Sequence, residues 1–145
     1  MSVKPPLTPP EMLCFALYSA AHAMQAAYKP LLDPLGLTYP QYLALAALWS
    51  QDGQTVGQVS ATLRLDSNTL TPLLKRLEQS GYLTRSRDPA DERQVRLNLT
   101  ERGHAIREQA ASVPQCFLDL TGLGQTEAAT LRDDLTALRN RMRPR

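Results

Sequence analysis

The sequence is poor in the residues that build metal sites, disulfide frameworks and membrane spans. Its 145 residues include two cysteines and two histidines. Cys14 and Cys116 are far apart and lie in no C-x-x-C or Cys/His spacing, so we expect neither a disulfide framework nor a metal site. No apolar run reaches membrane-spanning length, and the segment MSVKPPLTPPE has no apolar core of the signal-peptide type. These absences predict a cytoplasmic protein without a metal or cofactor.

The net charge is small, and the charged residues are unevenly distributed. The formal net charge is +2. Residues 64–107 carry nine Lys and Arg against six acids, whereas residues 1–63 have a balance of −1 and residues 108–145 are neutral. The length suits a single domain over residues 1–145, and its middle third is the part that a polyanion such as DNA would contact.

Helix signals dominate the first half of the chain. Thr8-Pro-Pro-Glu11 has the form of a helix start, apolar residues follow at helical spacing, and Pro30 is expected to end this helix. A second, mostly buried helix is predicted over residues 41–50. The box Thr55-Val-Gly-Gln58 opens a third helix to about Leu63.

The fourth helix is amphipathic, and a change of period follows it. Its stripe is made of Leu70, Leu73, Leu74 and Leu77. YLTRSR and RQVRLNL then alternate polar and apolar residues around the turn-forming DPADE, which predicts a β-hairpin. Further helices are expected from about Thr100 to residue 117 and over residues 126–142. The predicted fold is mainly α with a small hairpin, a winged helix–turn–helix.

This plan predicts DNA binding, because an α-helix fits the major groove and short polar side chains in its first turns reach base edges. The candidate contacts on the fourth helix are Ser67, Asn68, Thr69, Thr71, Lys75 and Arg76. On the hairpin they are Arg85, Arg87 and Arg93, with an arginine at the tip suited to a minor groove. The Ser, Asn and Thr residues after Asp66 could merely cap the helix, and the Lys-Arg pair opposite the leucine stripe could be a solvated face. Their combination at this spacing, with a basic hairpin, favours DNA binding. Pro72 leaves two starts open for this helix, one near residue 67 and one at Thr71-Pro72.

The hairpin segment DPADERQVRLNLTERG resembles the wing signature of MarR-family regulators, and LDSNTLTPLLKRLEQSGYLTRSRD is similar to that family's recognition helix and first wing strand. The resemblance implies a homodimer joined through helices at about residues 8–30 and 101–143, with a DNA-binding region at about residues 41–100. It also implies a pseudo-palindromic double-stranded operator read by two recognition helices about one DNA turn apart. Arg93 would be the minor-groove residue.

Within that family, LCFALYSA and AYKPLLDPLGLTYPQYL resemble the OhrR branch, the repressors that sense organic hydroperoxides. The resemblance implies that Cys14 is the peroxide-reactive thiol and that Tyr28 and Tyr39 hydrogen-bond to it. Cys116 is then the candidate that resolves the oxidised thiol as a disulfide and so releases the operator.

Residue spacing within the first helix bears on this implied site. Tyr18 is four residues after Cys14 and shares its face, which makes it a further support for the thiolate. Tyr28 is fourteen residues after Cys14, about 21 Å along a straight helix. We therefore expect Cys14 to meet Tyr28 and Tyr39 of the other chain of the dimer.

Two other functions remain open from the sequence. One is a MarR-type repressor that a phenolic or aromatic ligand releases from DNA, with cysteines that are only structural. The other, from a different class, is a thiol peroxidase that uses the Cys14 and Cys116 pair. The chain lacks the alternating β–α pattern of a thioredoxin-like fold and has no His/Asp constellation near either cysteine, so we expect a protein that is not an enzyme.

Overall fold

The computed structural model describes residues 4–143, which form seven α-helices, two 3-10 turns (Pro9–Glu11 and Asp33–Leu35) and one two-stranded hairpin. The helices are α1 (Leu13–Leu32), α2 (Tyr39–Ser50), α3 (Val56–Leu63), α4 (Ser67–Gln79), α5 (Glu101–Ala110), α6 (Val113–Thr121) and α7 (Gln125–Arg141), and the strands are β1 (Leu83–Arg87) and β2 (Val95–Leu99). The order of elements confirms the predicted fold class. The chain divides into two compact units, one ending at Ala110 and the other beginning at Ala111.

The first helix begins and ends later than the sequence predicts. Thr8 starts a 3-10 turn over Pro9–Glu11, with its backbone N–H donating to Glu11 Oε2 at 2.8 Å, and α1 itself begins at Leu13. The prediction that Pro30 ends the helix is wrong, since Pro30 lies inside the last turn. Proline lacks an N–H and its ring crowds the carbonyl four residues earlier, but the backbone N–H of Asp33 still donates to the Lys29 carbonyl and the helix continues to Leu32.

Side-chain caps set the starts of α2 and α3. Thr38 Oγ1 accepts from the backbone N–H of Gln41 at 3.3 Å, which starts α2 at Tyr39, two residues earlier than predicted. Thr55 Oγ1 accepts from the N–H of Gln58 at 3.2 Å, and Gln58 Oε1 accepts from the N–H of Thr55 at 2.9 Å. The predicted capping box of α3 is confirmed.

A cap also decides where α4 begins. The Asp66 carboxylate accepts from the backbone N–H of Thr69 at 2.8 Å, so the helix starts at Ser67 and passes through Pro72. A proline in a helix interior costs about 3 kcal/mol. The four leucines of the predicted stripe are all buried, at roughly 1.5–3 kcal/mol each, and their burial outweighs the single lost hydrogen bond.

The wing is joined to the helix–turn–helix at its base. β1 and β2 pair antiparallel, with Leu83 opposite Leu99 and Arg87 opposite Val95. On the other side of β2, Arg96 forms a bridge with Thr55, the cap of α3, and the N–H of Leu97 donates to the Gln54 carbonyl at 2.8 Å. The predicted hairpin is confirmed, and one of its strands is tied directly to the first helix of the helix–turn–helix.

The core of the first unit lies between α2, α3, α4 and the base of the wing. Its most deeply buried side chains, each no more than 1% exposed, include Leu45, Leu48, Val59, Leu70, Leu74, Leu77, Leu83 and Leu97. Much of α1 lies outside this core, because its apolar side chains Leu13, Phe15 and Tyr18 are exposed by 65%, 42% and 64%.

Helix α5 passes unusually close to the turn between α4 and β1. A Cβ atom added at Gly103 would lie 2.0 Å from the Tyr82 carbonyl oxygen, so glycine is required there. The Trp49 indole N–H donates to the Gly103 carbonyl at 2.8 Å, and the backbone N–H of Thr100 donates to the Tyr82 carbonyl at 3.1 Å. These contacts fix the start of α5 against α2 and the end of α4.

The last three helices differ in their bounds from those that the sequence predicts. The expected continuous helix to residue 117 is wrong, because α5 ends at Ala110 and α6 begins at Val113. Pro114 explains the break: it has no N–H to donate and its ring clashes with a carbonyl four residues earlier, whereas it suits the first turn of a new helix. Gly122, at φ +70°, ends α6, and α7 follows at Gln125, one residue before the predicted start.

The helices within residues 4–143 include none long and apolar enough to cross a membrane.

The Gly103 contact yields a stability prediction. Gly103→Ala should lower the free energy of unfolding by about 1–3 kcal/mol, because the new methyl group meets rigid backbone. Urea unfolding followed by circular dichroism measures this. Gly57→Ala is the matched control, since its Cβ would have no neighbour closer than 3.9 Å within a helix that favours alanine. Equal stability of Gly103→Ala and the unmodified chain would contradict the packing described.

Candidate DNA-binding surface and thiol site

The first turn of α4 presents a row of short polar side chains. Ser67, Asn68 and Thr69 are exposed, and Thr71 is half-buried beside them. Hydrogen bonds from the backbone N–H of Thr69 and from its side chain hold the pKa of Asp66 below its ordinary value, so this cap is a carboxylate at neutral pH. The polar row is thereby fixed in helical geometry and open to a ligand.

The basic residues of α4 point away from its buried face. Lys75 and Arg76 are exposed, whereas Leu73, Leu74 and Leu77 pack into the core. A helix with this division can keep its leucines in the protein while its cations meet a polyanion.

The wing arginines differ in what they contact. Arg85 is engaged by Glu78 of α4: its Nη2 and Nε atoms lie 3.1 and 3.2 Å from Glu78 Oε1, and its backbone N–H donates to Oε2 at 3.0 Å. These bonds lower the pKa of Glu78. In the structure, this ion pair connects β1 to α4. A DNA contact by Arg85 stays a prediction.

Two further wing arginines, Arg87 and Arg93, lie nearer the tip. Arg87 Nη1 donates to the Glu92 carbonyl at 3.0 Å across the hairpin. Arg93 lies 3.1 Å from Asp91 Oδ1, and its side chain is 91% exposed. The Arg93 side chain is therefore open to solvent, as its predicted place at the tip requires.

A groove of about 350 Å³ separates the wing from the two helices of the helix–turn–helix. It is lined by the start of α3 at Val56 and Gly57, by Ser67 and Thr71 of α4, and by Arg85 and Arg93 of the wing. Four of the predicted DNA-contact residues thus share one concave surface, together with α3 residues that the sequence analysis did not single out.

A cluster of aromatic rings forms the second candidate site. The ring centroids of Tyr28 and Tyr39 are 4.7 Å apart, and those of Tyr28 and Tyr42 are 6.1 Å apart. Tyr42 also meets Trp49 edge-on at 6.2 Å. Tyr42 was not among the predicted site residues, although its spacing of three from Tyr39 on α2 places the two on one helix face.

Burial changes the acidity of these phenols. It raises the pKa of Tyr28 to about 12, helped by the neighbouring Tyr39 and Tyr42, and it raises the pKa of both neighbours. All three phenols therefore keep their protons at neutral pH and are hydrogen-bond donors. A cavity of about 250 Å³ opens beside Tyr28 and Tyr39.

Cys14 lies near the opposite end of the helix that carries Tyr28. Its thiol is free and its residue exposed, in the first turn of α1 among the exposed Leu13, Phe15 and Tyr18. The helix runs from Leu13 to Leu32, so Cys14 and Tyr28 are separated by about 21 Å along its axis. The structure brings Tyr28 and Tyr39 together within one chain but leaves Cys14 of that chain away from them.

Tyr18 and Cys116 complete the predicted thiol residues. The ring of Tyr18 lies 4.4 Å from that of His22, one turn further along α1. Cys116 is a free, half-buried thiol in α6 of the second unit. Among residues 4–143, no group of three or more His, Cys, Asp or Glu side chains is arranged to hold a metal ion.

Comparison with known proteins identifies the class to which this architecture belongs. The family of transcriptional regulators SarA/Rot matches residues 26–109. The chain is 46% identical to the HTH-type transcriptional regulator TtmR of Methylorubrum extorquens over 133 residues, covering 92% of this chain and 68% of the relative. It is also 46% identical to the organic hydroperoxide resistance transcriptional regulator of Bacillus subtilis over 126 residues, covering 87% and 86%.

Solved structures agree with this class. Reduced AbfR bound to DNA matches with a TM-score of 0.77 and 35% identity over 90% of this chain and 91% of the other. The fold and its basic surface define a winged-helix DNA-binding regulator. The chain belongs to the MarR/SarA type of winged-helix transcriptional regulators.

The tyrosine cluster gives a pH prediction. Because the pKa of Tyr28 is higher in the folded chain, at about 12, than its ordinary value of 10.0, the folded chain holds this proton more tightly. This contribution to stability is full below pH 10 and should be lost as the pH rises towards 12. The free energy of urea unfolding at steps from pH 9 to 12 measures the effect. Tyr28→Phe should flatten the decline, and a slope equal to that of the unmodified chain would contradict the burial effect.

Proposed function

We propose that this regulator is a repressor that senses organic hydroperoxides through oxidation of Cys14. The observation that carries the proposal is an exposed thiol at Cys14, in a chain 46% identical to an organic hydroperoxide resistance regulator. Reduced and overoxidised forms of the relative AbfR are solved bound to DNA, and a disulfide form is also solved. These forms support a thiol-based signal in this branch of the family.

The working unit is a homodimer in which each sensor site is shared. An exposed apolar surface on α1 (Leu13, Phe15 and Tyr18) and another on α6 and α7 (Leu120, Leu131 and Leu135) support association through these helices. If two α1 helices lie antiparallel, Cys14 of one subunit reaches Tyr28 and Tyr39 of the partner subunit, with Tyr18 beside it on its own helix. The protonated phenols then donate to the Cys14 thiolate and stabilise it.

The chemistry proceeds in two balanced steps. The Cys14 thiolate attacks the terminal oxygen of the hydroperoxide and the O–O bond breaks, which leaves a sulfenic acid at Cys14 and an alkoxide. The alkoxide takes a proton from solvent and departs as an alcohol. The Cys116 thiol of the partner subunit then attacks the sulfenic sulfur, which forms a disulfide between the two subunits and releases water. The exposed Leu13 and Phe15 beside the thiol favour hydrophobic peroxides over hydrogen peroxide.

In the reduced state two copies of α4 occupy successive major grooves of a pseudo-palindromic operator. Ser67, Asn68, Thr69 and Thr71 face base edges, Lys75 and Arg76 face phosphates or guanine edges, and the exposed Arg93 enters the minor groove. Disulfide formation displaces the helices of the dimer and alters the spacing of the recognition helices. Such a repressor acts on the chromosome, so we also propose a cytoplasmic location.

A second candidate function rests on the cavity of about 250 Å³ beside Tyr28 and Tyr39. An aromatic ligand bound there would release the operator without any thiol chemistry. Release by salicylate that is equal in the unmodified chain and in Cys14→Ser would favour this function.

A thiol peroxidase, in contrast, would consume peroxide continuously with a reductant, whereas a sensor consumes about one equivalent per Cys14.

The direct test is a mobility-shift assay on the promoter of the protein's own gene. Cumene hydroperoxide should release the unmodified chain but not Cys14→Ser, because the serine hydroxyl does not attack the peroxide. Hydrogen peroxide at the same concentration should release it more slowly. Release of Cys14→Ser at the same peroxide concentration as the unmodified chain would contradict the proposal, as would a crosslinked dimer in peroxide-treated Cys116→Ser on a non-reducing gel.

Mixed dimers test whether the sensor site is shared. In a dimer of Cys14→Ser with Tyr28→Phe, a shared site unites the remaining Cys14 with the remaining Tyr28, whereas a site within one chain is broken in both subunits. We expect this mixed dimer to react with cumene hydroperoxide at the unmodified rate at one thiol, and the Tyr28→Phe homodimer to react several-fold more slowly. Stopped-flow peroxide consumption measures both. A mixed dimer as slow as that homodimer would place the site within one chain.

A further inference from the structure

Arg96 connects three parts of the DNA-binding unit. It lies on β2, opposite Ser86 of β1, and its backbone forms an antiparallel β-bridge with Thr55 at the start of α3. Its Nη1 atom donates to the Gly53 carbonyl in the turn before α3, and its Nη2 atom donates to Asp88 Oδ2, each at 2.5 Å. One guanidinium thus spans from the loop of the wing to the turn that precedes the helix–turn–helix.

Asp88 is the acceptor that fixes the wing loop. Its side chain is 9% exposed, and its Oδ1 atom accepts from the backbone N–H of Ala90 at 2.8 Å. The N–H of Asp88 donates to the Gln94 carbonyl at 2.9 Å, which closes the loop. The Ala90 N–H and the Arg96 guanidinium both lower the pKa of Asp88, so it pairs with Arg96 as a carboxylate. A carboxylate this buried depends on its partners, because its own hydration is lost.

The side chains of Arg93 and Arg96 point in different directions. Arg93 projects into solvent from the closed loop, whereas the Arg96 guanidinium is directed back to backbone and to a buried carboxylate. Arg93 is thus placed to meet DNA, and Arg96 is placed to hold the loop that carries Arg93.

We propose that Arg96, acting with Asp88, is a positioning residue for DNA binding. It fixes the angle of the wing relative to α3 and α4, so that Arg93 reaches the operator while Arg96 itself makes no contact with DNA. This inference rests on the proposed operator binding and adds to it the residues that set the wing.

Asp88→Asn is the sharpest test, because it removes a negative charge. A change of charge alone should strengthen binding to DNA. If Asp88 positions the wing, affinity for the promoter fragment should instead fall about tenfold, as the wing contact weakens.

Glu92→Gln is the matched control: it removes an exposed carboxylate from the same loop and should leave affinity equal or slightly higher. Fluorescence anisotropy with labelled promoter DNA measures all of these. An Asp88→Asn affinity equal to or above that of the unmodified chain would overturn the proposal.

A double-mutant cycle separates positioning from direct contact. Arg96→Met and Arg93→Ala should each lower the affinity for the promoter fragment about tenfold. The affinity of the double variant should lie within about twofold of that of the weaker single variant. Because the homodimer loses one contact per subunit, the slope of log affinity against log salt should fall by about two in each single variant and by about two, not four, in the double variant. Losses that multiply, or a slope that falls by about four, would show that Arg96 itself contacts DNA and would overturn the proposal.

Hydrogen exchange of the free protein completes the test. In Asp88→Asn, protection should be lost in residues 88–97 while the amides of α2 and α4 keep theirs. Unfolding of the whole unit would show that the pair is a general stability determinant and would overturn the positioning role. If the unmodified chain fails to bind the promoter fragment at any salt concentration, the proposed function itself fails, and this outcome is distinct from the others.

Discussion

The close approach of α5 to the turn at Tyr82 is the constraint on which the DNA-binding unit depends. Gly103 leaves no room for a side chain against the Tyr82 carbonyl, and its own carbonyl accepts from Trp49 of α2. The Arg102 guanidinium donates to the Ser80 carbonyl at the end of α4. Three helices and the start of the wing therefore meet at one joint.

Local signals in the sequence predicted much of the fold. The Thr55 capping box, the leucine stripe of α4 and the alternating hairpin strands depend on neighbouring residues, and each is confirmed. Prolines were the main source of error. Pro30 costs a single hydrogen bond near a helix end and is tolerated, whereas Pro114 starts a new helix, and sequence spacing does not distinguish these outcomes.

Contacts between distant residues were harder to predict. The Glu78 ion pair of Arg85 and the Arg96 bond to Gly53 depend on how the wing packs, which charge counting does not show. The pairing of Tyr28 with Tyr39 within one chain follows from the return of α2 onto the end of α1. That arrangement is why we propose a sensor site shared between two subunits, because one chain holds the phenols and Cys14 at opposite ends of α1.

In the proposed mechanism, the Cys14–Cys116 disulfide is the state that releases DNA. A titration of the operator-bound protein with cumene hydroperoxide tests it most directly, with anisotropy for the bound fraction and peptide mass spectrometry for the disulfide in the same samples. The released fraction should follow the disulfide fraction throughout the titration. Operator that stays bound after complete disulfide formation, or that leaves while both thiols are reduced, would contradict the claim.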